Sequence, residues 1–343
     1  MALLEKDRLQ EVVYGFPGKS VLVVGDLIVD RYVSITARKL SREAPVPVGD
    51  LQGEKFSLGG AANLANNIVA LGGRANVVGF VGEDTQGEWI TRALDDLKIN
   101  VDGIKKYDRP TTLKTRYIVN GFQVLRVDRE IRSDVSEEMS ETLMGPIDEL
   151  VSDCDIVAIA DYDKGAVTPY FIDKLVEKAK SADKRIIAQP KVKHYLHLRG
   201  VDYIKSNERE ASIATGVSVL NENSLRNIAT NLGTQLDCKS LILTRGERGI
   251  TVFEQNHMST IPPLLSSNEF ARAVGLRDAM TSVITLGLAS GANSFEAAAL
   301  SNIAAAIRGD RAGTVVVSSQ EILQNLGTAQ KILSHVVQVP VRR

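Results

Sequence analysis

Acidic residues follow an apolar segment near the start of the chain, in a position typical of a ligand-binding edge. Val21 to Gly25 form an apolar run that ends at Asp26, and Asp30 follows four residues later. Such a run is typical of a buried parallel strand, and open α/β sheets bind ligands at the carboxyl ends of these strands. We therefore interpret Asp26 and Asp30 as groups that hold sugar hydroxyls. The alternative roles are an acidic residue that stabilises a turn and an N-terminal cap of a helix.

A pair of glycines opens the next helical pattern. Gly59 and Gly60 stand before Asn63 and a helical spacing of apolar residues. Glycines at the start of a helix allow backbone N–H groups to approach a ligand at the positive end of that helix. Glycine is also needed where the backbones of a strand and a helix pack closely, because it has no side chain to keep them apart. The segment alone therefore leaves ligand binding and packing as alternatives.

Motifs for other kinds of chemistry fail on their spacing. Gly15 and Gly18 are separated by two residues, whereas a phosphate-binding P-loop has four between its glycines and follows a strand. His194 and His197 lie three residues apart, but the sequence offers no third metal ligand nearby. No Gly-x-Ser-x-Gly elbow is present. We expect a turn at the first site, packed or surface histidines at the second, and no serine hydrolase.

The candidate residues lie in an alternating succession of strand and helix patterns. Apolar strands are predicted at 76–81, 156–160, 186–188, 203–204, 240–244 and 250–253, and the last two form a hairpin. Helices are predicted at 85–97, 136–151, 168–180, 208–215, 223–232, 276–289 and 294–307. This alternation predicts an α/β fold with a mostly parallel sheet flanked by helices.

Two partly polar β segments interrupt this alternation. They lie at about 31–53 and 111–128 and predict a small β flap, or lid, over the sheet. No linker or repeat divides the chain. We therefore expect one domain over residues 1–330 and a short C-terminal tail at 331–343.

Composition bounds the partners and the compartment. The 343 residues include 41 Lys and Arg against 42 Asp and Glu, a net charge of −1. This charge provides no basic field for nucleic acid or anionic lipid. The two cysteines, Cys154 and Cys238, form no disulfide or zinc pattern. No apolar signal or membrane segment is visible, so we expect a cytoplasmic protein that binds neither nucleic acid nor membrane.

Five segments in order along the chain identify a family resemblance. They are VVGDLIVDRY, SREAPVPV, GGAAN, TTLKTRYIVNGFQVLRVDRE and DYDKG. Together they resemble the ribokinase-like (PfkB) carbohydrate kinases, and within them the D-glycero-β-D-manno-heptose-7-phosphate kinases, over about residues 20–325. The resemblance implies a ribokinase-like fold and transfer of the ATP γ-phosphoryl group to the anomeric hydroxyl of a heptose 7-phosphate or similar sugar phosphate.

The resemblance also implies which residues bind the sugar phosphate. The sugar would be held by Asp26, Asp30, Gly59, Gly60 and Asn63. Three basic residues would lie at or near its phosphate, since a sugar phosphate needs charge-assisted donors: Lys114, Arg126 and Lys164.

In the C-terminal half, the resemblance implies which residues bind the nucleotide. Asn207 and Glu210 match the family's Asn-x-x-Glu, which helps to organise magnesium and the phosphates of ATP. Thr244, Gly246 and Gly249 resemble the turn that approaches the ATP phosphates and base. ATP and magnesium are therefore the expected cofactors, with Asn207 and Glu210 acting on the metal indirectly.

The catalytic loop departs from the family pattern. The family's loop, which begins with Asp and ends in Gly-Ala-Gly-Asp, aligns with residues 272–278, where Asp278 remains as the base and Gly275 and Arg277 occupy the anion hole. Arg272 replaces the first Asp and Arg277 replaces the second Gly. The usual Asp-Pro-Lys is Gln189-Pro190-Lys191 here. Arg277 could fill the anion pocket or supply positive charge to the phosphates. The alternatives are an active kinase and a catalytically impaired pseudokinase that binds sugar phosphate or nucleotide in a regulatory or scaffolding role.

Two further partners follow from the resemblance. The family often dimerises through its flap, so we expect a homodimer that uses the open strand edges of the two β segments. A separate nucleotidyltransferase is expected to act in the same pathway.

Overall fold

The chain forms two sheets, the larger of which is flanked by helices. A computed structural model describes residues 4–254, 257–264, 275–309, 315–333 and 337–340. The strands are β1 (Ser20–Gly25), β2 (Leu27–Leu40), β3 (Pro47–Gly60), β4 (Arg74–Gly82), β5 (Asn100–Tyr107), β6 (Thr112–Val119), β7 (Phe122–Arg129), β8 (Ile156–Ala160), β9 (Arg185–Gln189), β10 (Tyr203–Asn207), β11 (Ser240–Thr244), β12 (Ile250–Glu254), β13 (His257–Ile261) and β14 (Val337–Pro340).

The helices follow the strands in regular alternation over much of the chain. They are α1 (Lys6–Tyr14), α2 (Ala61–Ala70), α3 (Thr85–Asp96), α4 (Glu137–Glu141), α5 (Met144–Val151), α6 (Pro169–Ser181), α7 (Glu208–Thr215), α8 (Glu222–Leu236), α9 (Leu276–Ala289), α10 (Ser294–Gly309) and α11 (Ser319–Leu333). Among these described helices, none has the length and apolar character that crossing a lipid bilayer requires.

The larger sheet has the strand order β14-β13-β12-β11-β10-β9-β8-β1-β4-β5. The neighbours from β11 to β5 pair in parallel, and β12, β13 and β14 add antiparallel pairs at one edge. All six residues of β1 are buried, as expected for a strand covered by helices on both faces. The predicted mostly parallel α/β fold is confirmed, and the predicted hairpin is formed by β11 and β12.

Parallel pairing brings the carboxyl ends of the central strands to one edge of this sheet. Gly25 pairs with Ala160, and Ala160 pairs with Gln189. Asn207 at the end of β10 pairs with Thr244 at the end of β11. The residues that follow these positions are therefore neighbours in space, although they are far apart in sequence.

The flap is a four-stranded sheet with the order β3-β2-β6-β7. Strands β2 and β3 each extend over 14 residues, and together they span 27–60, which reaches beyond the predicted segment at 31–53 on both sides. Their outer halves are exposed and are held by pairing with each other rather than by burial. Hydrophobic patterning therefore indicates only part of each strand.

The single helix predicted over 136–151 is wrong, because α4 and α5 are separate. Thr142 ends α4 and its hydroxyl bonds the carbonyl of Met139 at 2.7 Å. Pro146 lies in the first turn of α5 and has no N–H to donate back to the preceding turn. A continuous helix would lack that hydrogen bond, so the chain starts a new helix instead.

Candidate active site

Asp278 lies in the first turn of α9, at the edge where the central strands end. Gly275 precedes this helix with φ of +84°, in the left-handed region that favours glycine. The Asp278 side chain is buried, and its Oδ2 accepts a 2.7 Å hydrogen bond from Nδ2 of Asn63. Its Oδ1 accepts from the Tyr162 hydroxyl and from Nε2 of Gln189, the latter at 3.2 Å. Three donors on three separate elements therefore orient the predicted base.

Tyr162 and Gln189 come from the ends of β8 and β9. Gln189 Nε2 also donates to the Tyr162 hydroxyl at 3.0 Å, and its Oε1 accepts from the hydroxyl of Thr281. Burial, with the adjacent Asp278 carboxylate, raises the pKa of Tyr162 well above its usual value, so the phenol stays protonated and donates. A carboxylate at position 189 would repel Asp278, whereas the Gln amide donates to it.

Asp30 lies on β2 beside this network. Its carboxylate accepts a 2.5 Å charge-assisted hydrogen bond from Nη1 of Arg116, on the neighbouring strand β6. Burial and the nearby Asp278 raise the pKa of Asp30, while Arg116 opposes that rise. Arg116 lies two residues after Lys114 in the flap motif and was not among the predicted site residues.

The two glycines at the start of α2 provide space for other groups. A Cβ at Gly59 would lie 2.7 Å from Oδ2 of Asp30. Gly60 has φ of +58°, and a Cβ there would lie 2.4 Å from the carbonyl oxygen of Asp26. Glycine at 59 thus leaves room for the Asp30 carboxylate, and glycine at 60 permits a close backbone approach. This geometry favours the packing role for Gly60.

Asp26 supports the loop that follows β8. Its carboxylate accepts hydrogen bonds from the backbone N–H groups of Tyr162, Lys164 and Ala166, at 2.7, 3.2 and 3.0 Å. Burial, with the adjacent Asp161, raises the pKa of Asp26 to about 6. Because both of its oxygens are engaged by this loop, Asp26 positions Tyr162 and Lys164. The structure favours its alternative role as a turn acid over direct contact with a sugar.

The three predicted phosphate-binding cations lie near one another and form the flap cation cluster: Lys114, Arg126 and Lys164. Lys114 donates to Asp128 at 3.0 Å and to Glu130 at 2.8 Å. Arg126 donates to Asp128 at 3.0 Å, and Lys164 donates to Glu130 at 3.1 Å. Burial opposes ionisation of Glu130, but Lys114 and its other donors lower its pKa to about 2. The three cations of the cluster contact two carboxylates, Asp128 and Glu130. The cluster therefore keeps a net positive charge that can bind an anion.

Asn207 and Glu210 form the predicted pair at the start of α7. The Asn207 side chain caps the helix by accepting from the Glu210 N–H at 2.8 Å, and Glu210 Oε2 accepts from the Asn207 N–H at 3.2 Å. Glu210 Oε1 accepts from Nη1 of Arg277 at 2.5 Å and from Nζ of Lys191 at 3.4 Å. Although burial opposes ionisation of Glu210, Arg277 and Lys191 lower its pKa.

This arrangement does not fit a divalent cation at Glu210. Both carboxylate oxygens accept hydrogen bonds, and Oε1 is contacted by two cationic groups, the Arg277 guanidinium and the Lys191 ammonium, which would repel a metal ion. Within the part of the chain that the structure describes, no group of three or more His, Cys, Asp or Glu is arranged to hold a metal ion. His194, from the rejected histidine pair, is buried and bonded to Asp161, whereas His197 is exposed.

Lys205 is a buried charge that the sequence interpretation missed. It lies on β10, and its Nζ donates to the carbonyl of Arg277 at 3.1 Å. Burial, with the nearby Arg277, lowers the pKa of Lys205 to about 7. A lysine directly after the apolar strand predicted at 203–204 was the available signal.

The turn after β11 lies beside these residues. Thr244 donates its hydroxyl to the carbonyl of Ser206 at 3.2 Å. Gly246 and Gly249 have φ of +58° and +79°. The predicted nucleotide turn therefore adjoins Asn207 at the same sheet edge. In the catalytic loop, the predictions for residues 272–274 lie outside the described residues.

Comparison with known proteins decides the family. The model of the pfkB family of carbohydrate kinases matches residues 19–321. The chain belongs to the pfkB carbohydrate kinase family. It is thus a carbohydrate kinase, a phosphotransferase whose acceptor is a sugar.

PfkB relatives match most of the chain. The Bifunctional protein HldE of Helicobacter hepaticus is 32% identical over 328 residues, covering 95% of this chain and 68% of the relative. The protein of that name from Wolinella succinogenes is 34% identical over 313 residues, covering 91% of this chain and 65% of the relative. The chain thus spans about two thirds of the length of these relatives.

Solved structures show the same ribokinase-like fold. Arabidopsis thaliana ribokinase complexed with ribose and ATP aligns with a TM-score of 0.70 at 18% identity, covering 90% of this chain and 99% of that one. The tetrameric inhibited form of phosphofructokinase-2 from Escherichia coli aligns with a TM-score of 0.72 at 17% identity, covering 91% of this chain and 99% of that one.

Proposed function

We propose that this pfkB kinase transfers the γ-phosphoryl group of ATP to the anomeric hydroxyl of a heptose 7-phosphate or a similar sugar phosphate. The observation that carries the proposal is the arrangement around Asp278. This buried carboxylate is held by three donors, lies near Asp30, and belongs to a site that also contains the flap cation cluster. The resemblance to heptose-phosphate kinases and the HldE relatives support the choice of sugar.

The acceptor hydroxyl would bind at Asp278. Both of its oxygens hold donors, so a sugar hydroxyl must replace one of them or share an oxygen with it. The hydroxyl then donates to the carboxylate, which takes the proton as the sugar oxygen attacks phosphorus. Asn63 keeps the carboxylate oriented, and Asp30 accepts from another hydroxyl of the sugar while Arg116 holds it in place.

The phosphate end of the acceptor would bind the flap cation cluster. Lys114 and Lys164 are both mostly buried, with side chains 16% and 9% exposed, and both contact Glu130. A phosphate that approaches these lysines gains charge-assisted hydrogen bonds. Arg126 is 52% exposed and lies at the rim of the cluster. An unphosphorylated sugar would leave this positive charge uncompensated and is expected to be a poor substrate.

The donor would bind at the other end of the site. Thr244, Gly246 and Gly249 form the turn for ATP, and Gly275 and Arg277 at the start of α9 lie where the terminal phosphates would come. Helix N-termini favour anions. The ribokinase of Arabidopsis thaliana, which shares the fold, is complexed with ATP, and this supports ATP as the donor.

A homodimer through the flap is also part of the proposal. The flap strands expose apolar side chains: Leu40, Val48, Leu51, Phe122, Val124, Leu125 and Val127. Strands β3 and β7 are the edges of the flap sheet. Exposed apolar surface on an open sheet edge favours association. We expect a particle mass of twice 37.2 kDa in light scattering, and a monomer mass would contradict this.

Phosphotransfer is tested by ADP release in the presence of ATP, MgCl₂ and D-glycero-β-D-manno-heptose 7-phosphate. We expect release by the wild type, and a loss of at least about 10²-fold in Asp278→Asn, because the amide cannot take the proton. Asp173→Asn, at an exposed carboxylate of α6, is the matched control and should leave the rate unchanged.

Two results would contradict the proposal. Equal rates with the unphosphorylated heptose would remove the role of the flap cation cluster. No ADP release by the wild type, with the sugar phosphate still bound in calorimetry, would identify the pseudokinase alternative.

A further inference from the structure

Arg277 is fixed in place by two acceptors at the start of α9. Its Nη1 donates to Oε1 of Glu210 at 2.5 Å, and its Nη2 donates to the carbonyl of Pro190 at 2.7 Å. The side chain is 23% exposed, and its buried Nε has no hydrogen-bond partner within the part of the chain that the structure describes. These two bonds use only part of the five N–H donors of the guanidinium.

Further positive charge surrounds the same carboxylate. Lys191 contacts Glu210 Oε1 at 3.4 Å, and Lys205 donates to the backbone carbonyl of Arg277 at 3.1 Å. Three basic side chains therefore lie around Glu210. An oxyanion is the ligand that balances such a group, whereas a divalent cation would add to its positive charge.

A divalent cation and the guanidinium cannot both contact Oε1 of Glu210. Arg277 already neutralises this carboxylate and belongs to the first turn of α9, whose amino end favours phosphate oxygens. A guanidinium supplies two positively charged donors in fixed directions and keeps its charge at any physiological pH. It can therefore neutralise terminal phosphates without a metal bridge to this residue.

We propose that Arg277 takes the place of a divalent cation at Glu210, so that the terminal phosphates of the nucleotide are held by Arg277 and Lys191, while Lys205 supports the backbone of Arg277. The inference rests on the proposed use of a nucleoside triphosphate as donor. It concerns binding of the nucleotide and makes no use of the sugar. Nucleotide affinity is therefore nearly independent of Mg²⁺ in the wild type and depends on Mg²⁺ when Arg277 is removed.

The test is calorimetric titration with ATP, without sugar, in EDTA and again in MgCl₂. The wild type is expected to show dissociation constants within about threefold of each other in the two buffers, while Arg277→Gln loses at least about tenfold in EDTA and regains part of it with Mg²⁺. Gln removes the charge and, because it is shorter than Arg, also gives up the contact with Glu210. Arg74→Gln, at an exposed residue at the opposite end of the sheet, is the matched control.

Metal binding provides a second readout. Paramagnetic resonance of Mn²⁺ in the presence of ADP should show tighter Mn²⁺ binding to Arg277→Gln than to the wild type, because Glu210 is released. Arg277→Lys keeps the charge, so it should lie between the two in the EDTA titration.

Three results would overturn the inference. They are ATP binding by the wild type that is strictly dependent on Mg²⁺, ATP binding in EDTA that Arg277→Gln leaves unchanged or tightens, and an absence of ATP binding in both buffers. A failure to phosphorylate the heptose phosphate, with ATP binding as expected, would contradict the proposed substrate and leave the role of Arg277 standing.

Discussion

Replacing Lys205 by Met should stabilise the protein, most strongly at neutral pH. Lys205 is one of the largest fully buried side chains among the described residues, and burial with the nearby Arg277 lowers its pKa from 10.5 to about 7. The unfolded chain binds a proton there at pH values where the folded chain does not. The free energy of unfolding therefore falls as the pH is lowered from about 10 towards 7.

The size of the effect follows from this difference in pKa. A pKa of about 7 in the folded state, against 10.5 in the unfolded state, lowers the stability by about 4 kcal/mol at pH 7. Met removes this penalty and fills a similar volume. It also removes the hydrogen bond to the Arg277 carbonyl, a loss of about 1 kcal/mol. That carbonyl still accepts from the Thr281 hydroxyl at 2.9 Å. The expected net gain is about 3 kcal/mol at pH 7.

The assay is urea unfolding of both chains at pH 7, 8.5 and 10. Lys205→Met should unfold at a higher urea concentration at pH 7. The two curves should converge near pH 10, where the remaining protonation penalty of the lysine, about 1 kcal/mol, is offset by the hydrogen bond that Met lacks. Lys39→Met, at an exposed lysine of β2, should show no such pH dependence. A destabilised Lys205→Met, or a difference that grows as the pH rises, would refute the reasoning. Lys205 also holds the backbone carbonyl of Arg277, so the same variant should bind ATP more weakly.

Three other substitutions have defined outcomes. Arg116→Met should raise the KM for the sugar phosphate and lower the melting temperature, because it leaves the buried Asp30 carboxylate without its charged partner; an unchanged KM would remove Arg116 from the site. Glu130→Gln should lower stability above pH 4.5, and the difference should vanish as the pH falls through about 2, where the native carboxylate becomes protonated; urea unfolding of both chains across this pH range tests the sign. Gly249→Ala should lower the melting temperature strongly, because its Cβ would lie 1.9 Å from the carbonyl of Ile261 at φ of +79°, and an unchanged melting temperature would contradict this.

Much of the fold was predictable because its strands are buried on both faces. Apolar runs such as Val21 to Gly25 indicate central parallel strands directly. The flap was harder to delimit, because its long strands are half exposed and carry polar residues that patterning assigns to loops. The break between α4 and α5 depends on the proline at 146, a single backbone donor that helical periodicity does not register.

The site was predictable where a motif names the residue, and not where its partner is distant in sequence. Asn63 and Asp278 were both implied by the resemblance, and the structure joins them across 215 residues of chain. Tyr162 lies within a recognised motif, but its bond to Asp278 depends on how β8 and α9 meet. The pairing of Arg277 with Glu210 likewise needs α7 and α9 together, so the sequence left two roles open for Arg277.

The central claim is that this pfkB kinase phosphorylates a sugar that already carries a phosphate. The most direct measurement is phosphorus NMR of a mixture of enzyme, ATP, MgCl₂ and D-glycero-β-D-manno-heptose 7-phosphate. We predict that the γ-phosphate signal of ATP falls while ADP and a second phosphate on the sugar, at its anomeric position, appear in equal amounts. An unchanged ATP signal, or ADP formed together with free inorganic phosphate alone, would contradict the account.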